Sequence, residues 1–147
     1  MVLVVGGGIF GASAARVLAQ RGHAVTLISP TRGPHPDAST TDISKVVRMD
    51  YGLDPLYTTL MEQAMPHWEA DPLYHPDGFL ILRRTPLAPG GFEHDSFDML
   101  TRRGHALERM TPKALAARHP AWSADRYPDG YHNPRAGWAE SGAVLAR

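Results

Sequence analysis

The chain has 147 residues, 15 basic and 15 acidic side chains for a formal charge of zero, 43% hydrophobic residues and no cysteine. This is the composition of one globular domain, and it excludes an electrostatic nucleic-acid binder, disulfides, thiolate catalysis and zinc–thiolate centres within these residues. No apolar run reaches membrane-spanning length, and a strand beginning at residue 2 leaves no room for a targeting peptide; the expectation is a cytoplasmic protein with no membrane or nucleic-acid partner.

Residues 2–5, Val-Leu-Val-Val, form a short apolar run that opens onto Gly6-Gly7-Gly8-Ile9-Phe10-Gly11, followed by an Ala-rich stretch, 12–20, with helical spacing. This reads as a strand feeding a helix through a G-x-G-x-x-G turn. Gly6 serves the tight turn, Gly8 lets backbone approach a pyrophosphate, and Gly11 lets the helix lie close to the strand. The first helical N–H groups then face the phosphates. Gly22 stops the helix, and 24–28, Ala-Val-Thr-Leu-Ile, predicts a second buried strand. Where a ribose-binding Asp or Glu is expected, about 20 residues past the glycines, the chain has Ser29 and then Pro30. Ser29 with Arg32 also suits a 2′-phosphate, so the first thirty residues leave NADP open.

Residues 29–42 are dense in turn formers and predict a loop, and the alternation over Ile43–Asp50 predicts a short strand. Asp54-Pro55 is a helix start, and Leu56, Leu60, Met61, Ala64, Met65 and Trp68 form one apolar face of an amphipathic helix with a kink expected at Pro66. Then follow a turn at Asp77-Gly78, a strand over 79–84, a Pro/Gly linker over 87–91, and a helix over 95–103 stopped by Gly104. A strand at 106–110, a helix from Thr111-Pro112 to Arg118, a strand at 130–133 and a helix from Glu140 complete the reading.

Residues 39–58, Ser-Thr-Thr-Asp-Ile-Ser-Lys-Val-Val-Arg-Met-Asp-Tyr-Gly-Leu-Asp-Pro-Leu-Tyr-Thr, carry a second motif. A small-residue loop leads to two basic residues three apart, Lys45 and Arg48, and then to Tyr51-Gly52. This segment resembles the flavin-proximal region of the D-amino-acid oxidase superfamily, in the branch of monomeric sarcosine oxidase, fructosyl-amino-acid oxidases and saccharopine or pipecolate oxidases. The resemblance continues through Gly78-Phe79 and 111–120 to 133–138, Asn-Pro-Arg-Ala-Gly-Trp. It implies an FAD cofactor, with Gly6, Gly8, Ile9, Phe10 and Gly11 at the pyrophosphate and Ser29 and Pro30 at the adenosine ribose. Ser39, Thr40, Thr41 and Ser44 would line the flavin, threonines standing where the family usually has histidine or aromatic-rich variants. Lys45 matches the basic residue over the isoalloxazine, and Arg48 the arginine that binds the substrate carboxylate.

The chemistry so implied is oxidation of an amine or amino acid: a hydride passes from the carbon next to the amine to flavin N5, oxygen returns as hydrogen peroxide, and the imine hydrolyses. The fold implied is α/β, an incomplete Rossmann-type FAD-binding half-domain (1–54), part of an α+β substrate domain (55–136), and a return helix (137–147). Two parallel apolar strands cannot stand as a sheet by themselves. The expectation is therefore a complementary polypeptide carrying the rest of both domains, with a small amino-acid-like amine and O2 as reactants. Two readings from other classes remain beside it: an NADP-binding reductase module, favoured by Ser29 and Arg32, and a non-catalytic, truncated nucleotide-binding or scaffold protein. The eight histidines show no metal-ligand spacing, so no metal site is expected.

Overall fold

A computed structural model describes residues 1–147. The chain divides into two compact units, Met1–Lys45 with Ala139–Arg147, and Val46–Trp138.

In the first unit, β1 (Val2–Val5) and β2 (Val25–Ile28) pair in parallel from Val2 opposite Val25 to Val5 opposite Ile28. Helix α1 (Ile9–Gln20) connects them and begins three residues earlier than its Ala-rich stretch suggests, because Gly8 in extended backbone already accepts a helical bond from Ala12 N–H at 2.9 Å. Gly22 ends the helix at φ +83°, its N–H donating to the Ala19 carbonyl. Residues 29–44 contain no helix or strand; short turns hold them, with Ala38 N–H donating to His35 O and Thr41 N–H to Ala38 O. A last helix, α5 (Ser141–Ala146), is tied to this loop by the Ser141 hydroxyl, which donates to Asp42 O at 2.9 Å.

The second unit holds most of the core. Strand β7 (Asp129–Asn133) lies between β5 (Phe79–Arg83) and β6 (Glu108–Arg109), antiparallel to both. A smaller sheet runs in the order β3 (Lys45–Val47), β8 (Gly137–Ala139), β4 (Tyr74–His75). Strands β4 and β8 escape the sequence reading because two and three residues are too few to display a period-2 pattern. Likewise, the strands expected over 43–50 and 106–110 shorten to Lys45–Val47 and Glu108–Arg109.

Helix α2 (Pro55–Glu69) starts as its sequence dictates, the Asp54 carboxylate accepting from the N–H groups of Leu56 and Tyr57, and runs through Pro66. Its buried face keeps the expected Met61, Ala64, Met65 and Trp68 but differs at its start: Leu56 and Leu60 are exposed, while Thr58 is buried. The covered stripe passes through 58, 61, 62, 65 and 68, admitting Thr58 and Glu62, whose carboxylate takes hydrogen bonds from Arg103 and His105. Helix α3 (Phe92–Arg102) starts three residues before the expected 95, since Asp95 N–H bonds back to Gly91 O. Helix α4 (Pro112–Arg118) is capped by Thr111. These elements enclose Met49, Met65, Leu100, Met110, Leu115 and Tyr131, each at 1% exposure or less. Gly130 lies where a Cβ would stand 2.2 Å from Ile81 O, so the sheet closes only on glycine.

Candidate functional site

The glycine turn of the first unit is built as a cradle. Gly6 sits at φ +108°, a conformation that L side chains rarely adopt, and a Cβ on Gly11 would stand 1.8 Å from Gly6 O. The first helical turn can therefore press against β1 only through glycine; the same absent Cβ faces Val4 Cγ1 at 3.5 Å. Helix α1 has no side-chain cap and no acidic residue in its first turn, so its leading N–H groups are free to meet an anion.

Against this turn lies a cleft of about 360 Å³. Gly6, Gly8, Ile9, Phe10 and Gly11 form one wall at the end of β1, and Ala38, Ser39 and Thr40 of the loop form the other. The Thr40 Oγ1 atom is buried without a hydrogen-bond partner. A buried hydroxyl left unpaired is penalised by about 1–3 kcal/mol, so this atom suits a polar ligand that fills the cleft. Glycine backbone, an open helix end and an orphaned hydroxyl are together the chemistry that a dinucleotide pyrophosphate requires.

The remaining expected cofactor residues do not line that cleft. Ser29 is half-buried beneath the turn, where a Cβ on Gly7 would meet its Oγ at 2.4 Å, and Pro30 is exposed. The Thr41 hydroxyl donates to His35 O, and Ser44 is half-buried. Lys45 Nζ pairs with Asp42 Oδ2 at 2.9 Å on an exposed surface, and this hydrogen bond, followed by that from Ile43 N–H, holds the Asp42 carboxyl below the usual carboxylate range.

Arg48 belongs to the second unit and is half-buried. Its guanidinium lies 5.2 Å from the Tyr51 ring centroid and 5.4 Å from that of Phe92, at the start of α3. One N–H, on Nη1, donates to the backbone carbonyl of Asp50. Gly52, at φ +62°, leaves room for the Phe92 ring, which a Cβ would approach to 3.4 Å, and its N–H donates to the buried Ser96 Oγ at 2.8 Å. Behind Arg48, the fully buried Asp50 carboxylate accepts from the Tyr131 hydroxyl at 2.6 Å and from Asn133 Nδ2 at 3.0 Å. Burial first, and the facing Asp50 carboxylate second, push the Tyr131 phenol far up, so it stays a protonated donor. Sequence reasoning passes over Asp50, Tyr131 and Asn133. The available signal was Tyr131 and Asn133 two apart in a strand, hence on one face, with an acid two residues after the arginine.

The family model for FAD dependent oxidoreductases of the DAO type matches residues 1–147. The chain belongs to this family. A curated member, the amino acid oxidase imqH of Aspergillus flavus, is 27% identical over 99% of this chain and 38% of its own length. Among solved structures, NikD, an unusual amino acid oxidase essential for nikkomycin biosynthesis, superposes with a TM-score of 0.77 at 23% identity, over 99% of this chain and 38% of NikD. The fructosyl amine:oxygen oxidoreductase Amadoriase I of Aspergillus fumigatus does so with a TM-score of 0.71 at 23% identity, over 98% of this chain and 36% of its own. The mixed α/β fold is thus that of the amino-terminal part of DAO-family oxidases, and the chain spans a little over a third of the length of these relatives. FAD is the cofactor of the family. No helix is long and apolar enough to cross a membrane.

Proposed function

We propose that the chain is the FAD-binding and carboxylate-binding part of an amine or amino-acid oxidase, active when further polypeptide completes its two units. In this reading the pyrophosphate sits in the cradle of Gly6, Gly8 and Gly11 with Ile9 and Phe10 beside it, and Thr40, with Ser39, gives its unpaired hydroxyl to the cofactor. Ser29 and Pro30 lie toward the ribose, and Thr41 and Ser44 continue the flavin-side loop. Bound FAD supplies the acceptor for a hydride from the carbon next to the amine. Lys45 contributes a cation that favours negative charge on the cofactor, its present partner being Asp42.

The observation that carries the substrate class is Arg48. Held between two aromatic rings with one Nη1 bond to backbone, it keeps its Nε–H and Nη2–H edge for an incoming carboxylate, which that edge grips with two parallel hydrogen bonds. Amino acid oxidase imqH and NikD, both named as amino acid oxidases, support a substrate of that class by family likeness.

The test uses the flavin-loaded, completed protein with a panel of amino acids and the amines that lack their carboxylate, scored by peroxide release. Losing one partner of a desolvated charge pair removes about 2–5 kcal/mol, so Arg48→Ala is expected to lower kcat/KM for the amino acid by about 30-fold or more. Turnover of the carboxylate-free amine should change little. Equal losses on both would remove Arg48 from the substrate site, and a protein that never takes up flavin would remove the oxidase reading.

A further inference from the structure

Asp50 is an unusual residue to bury. Its carboxylate is fully enclosed, and the two groups that reach it are neutral donors, Tyr131 Oη and Asn133 Nδ2, themselves at 0% and 1% exposure. Enclosing a carboxylate is strongly unfavourable unless its hydrogen bonds are complete, so such a group calls for a reason beyond packing. Both donors project from one face of β7, the central strand of its sheet, and are therefore as rigid as any part of the fold. Asn133 is fixed in turn, its Oδ1 accepting from Arg135 N–H at 3.2 Å.

The consequence falls on the backbone of residue 50. Arg48 Nη1 donates to the carbonyl of Asp50 itself, so whatever immobilises the Asp50 side chain also immobilises the acceptor that aims the guanidinium. On the other side, Ser96 takes the Gly52 N–H and α3 lays Phe92 over Arg48, one helical turn before Ser96. The Arg48–Gly52 turn is thus pinned at residues 50 and 52 by buried side chains of two different elements, with the half-buried Arg48 at its start.

We propose that Asp50 is the positioning residue of the substrate-carboxylate site: clamped by Tyr131 and Asn133, it holds its own carbonyl against Arg48 and fixes the guanidinium edge offered to a small amino-carboxylate. This rests on the reading of Arg48 given above. A guanidinium already held in its binding rotamer loses less freedom on capture of the ligand, which is where the clamp acts on affinity. Asp50 touches neither substrate nor cofactor.

The experiment measures propionate binding by calorimetry to the flavin-loaded, completed protein and to its Tyr131→Phe, Asp50→Asn and Arg48→Ala variants, with flavin content and thermal midpoint recorded for each. Tyr131→Phe removes one hydroxyl from the clamp and keeps the ring in place. A hydrogen bond's net worth corresponds to about a fivefold change, so Tyr131→Phe should weaken propionate by about that factor with flavin content unchanged, and Asp50→Asn by as much or more. The kcat on a carboxylate-free amine should stay at the parent value in Tyr131→Phe, a split that loss of fold stability alone would not produce. Unchanged propionate affinity in Tyr131→Phe, with binding abolished in Arg48→Ala, overturns the clamp and leaves the arginine reading standing. Unchanged affinity in Arg48→Ala overturns the arginine reading, and the clamp with it. Should Asp50→Asn fail to fold, Tyr131→Phe decides alone.

Discussion

The nucleotide-cradle unit and the Arg48 unit use apolar sequence differently. No residue of β1, β2 or α1 is buried, whereas Val46–Trp138 encloses Met49, Met65, Leu100, Met110, Leu115 and Tyr131 almost completely. Yet β1 and β2 are the more uniformly apolar strands, reading Val-Leu-Val-Val and Val-Thr-Leu-Ile. Val4 faces α1, but Leu3, Val5 and Ile28 are 56%, 76% and 50% exposed. Such strands are composed for a sheet covered on both faces, and the described residues cover one. The second unit, by contrast, buries Ile81 of β5 and Tyr131 of β7 within its own core. A strand's composition therefore reports the interior it is meant for, and burial reports how much of that interior the chain itself provides.

The largest effect that would break this contrast is in the core. Leu100 is fully buried, so Leu100→Ala should destabilise the second unit by about 3 kcal/mol, read from urea unfolding. Leu3→Ala makes the same chemical change on the bare face of β1 and should stay within about 0.5 kcal/mol. Comparable losses at the two positions would mean that the first unit has a core of its own.

The same contrast explains what was legible in advance. The glycine turn could be read because its residues act through backbone: Gly6 takes a positive φ and Gly11 leaves no room for a Cβ beside the Gly6 carbonyl, and sequence displays such needs directly. Capping was equally legible, as at Asp54 and Thr111, because cap and capped N–H lie within three residues. The buried face of α2 was not, since nothing local says that Glu62 will meet Arg103 and His105, some forty residues on, and be drawn inward, turning Leu56 and Leu60 outward. Asp50 was hidden for the same reason: its partners Tyr131 and Asn133 lie more than eighty residues away, and a lone Asp after a short strand is ordinarily a surface residue. Arg48 was singled out in advance by family likeness alone, and the groups that hold it, Asp50, Tyr51 and Phe92, are seen only in the fold.

A smaller effect sharpens the comparison by pH. In the second unit, burial pushes the His132 imidazole below its usual range, against the pull of Glu108. At Asp129, burial alone would raise the carboxyl, but the Arg109 guanidinium and the N–H groups of Leu87 and Gly130 outweigh it and hold it low. In both cases the unfolded chain takes up the proton first, so stability falls as pH falls. The loss begins below about 6.5 for His132 and below about 3.9 for Asp129, the ordinary values, and continues toward the lower folded ones. His132→Gln should flatten the upper stage of a urea-midpoint profile and leave the lower stage in place. A profile that keeps its slope between pH 7 and 5 in that variant would place the titration elsewhere.

The smallest change in stability belongs to Val5→Ser, and it bears most directly on what completes the first unit. Val5 is 76% exposed at the end of β1, beside Leu3 and across from Ile28. Removing its methyl groups should shift the urea midpoint of the chain by no more than about 0.5 kcal/mol equivalent, because little leaves water when Val5 folds. An uncovered strand face is, however, an association site, so the same substitution should reduce self-association of the 147-residue chain in sedimentation velocity. In the completed flavoprotein the outcome should reverse: if further strands and helices cover this face, a serine there leaves a hydroxyl among apolar groups and lowers stability and flavin retention together. A Val5→Ser flavoprotein as stable as its parent would mean that the face stays open to water. The cradle would then hold its nucleotide on a bare two-stranded ledge, contrary to the completion proposed here.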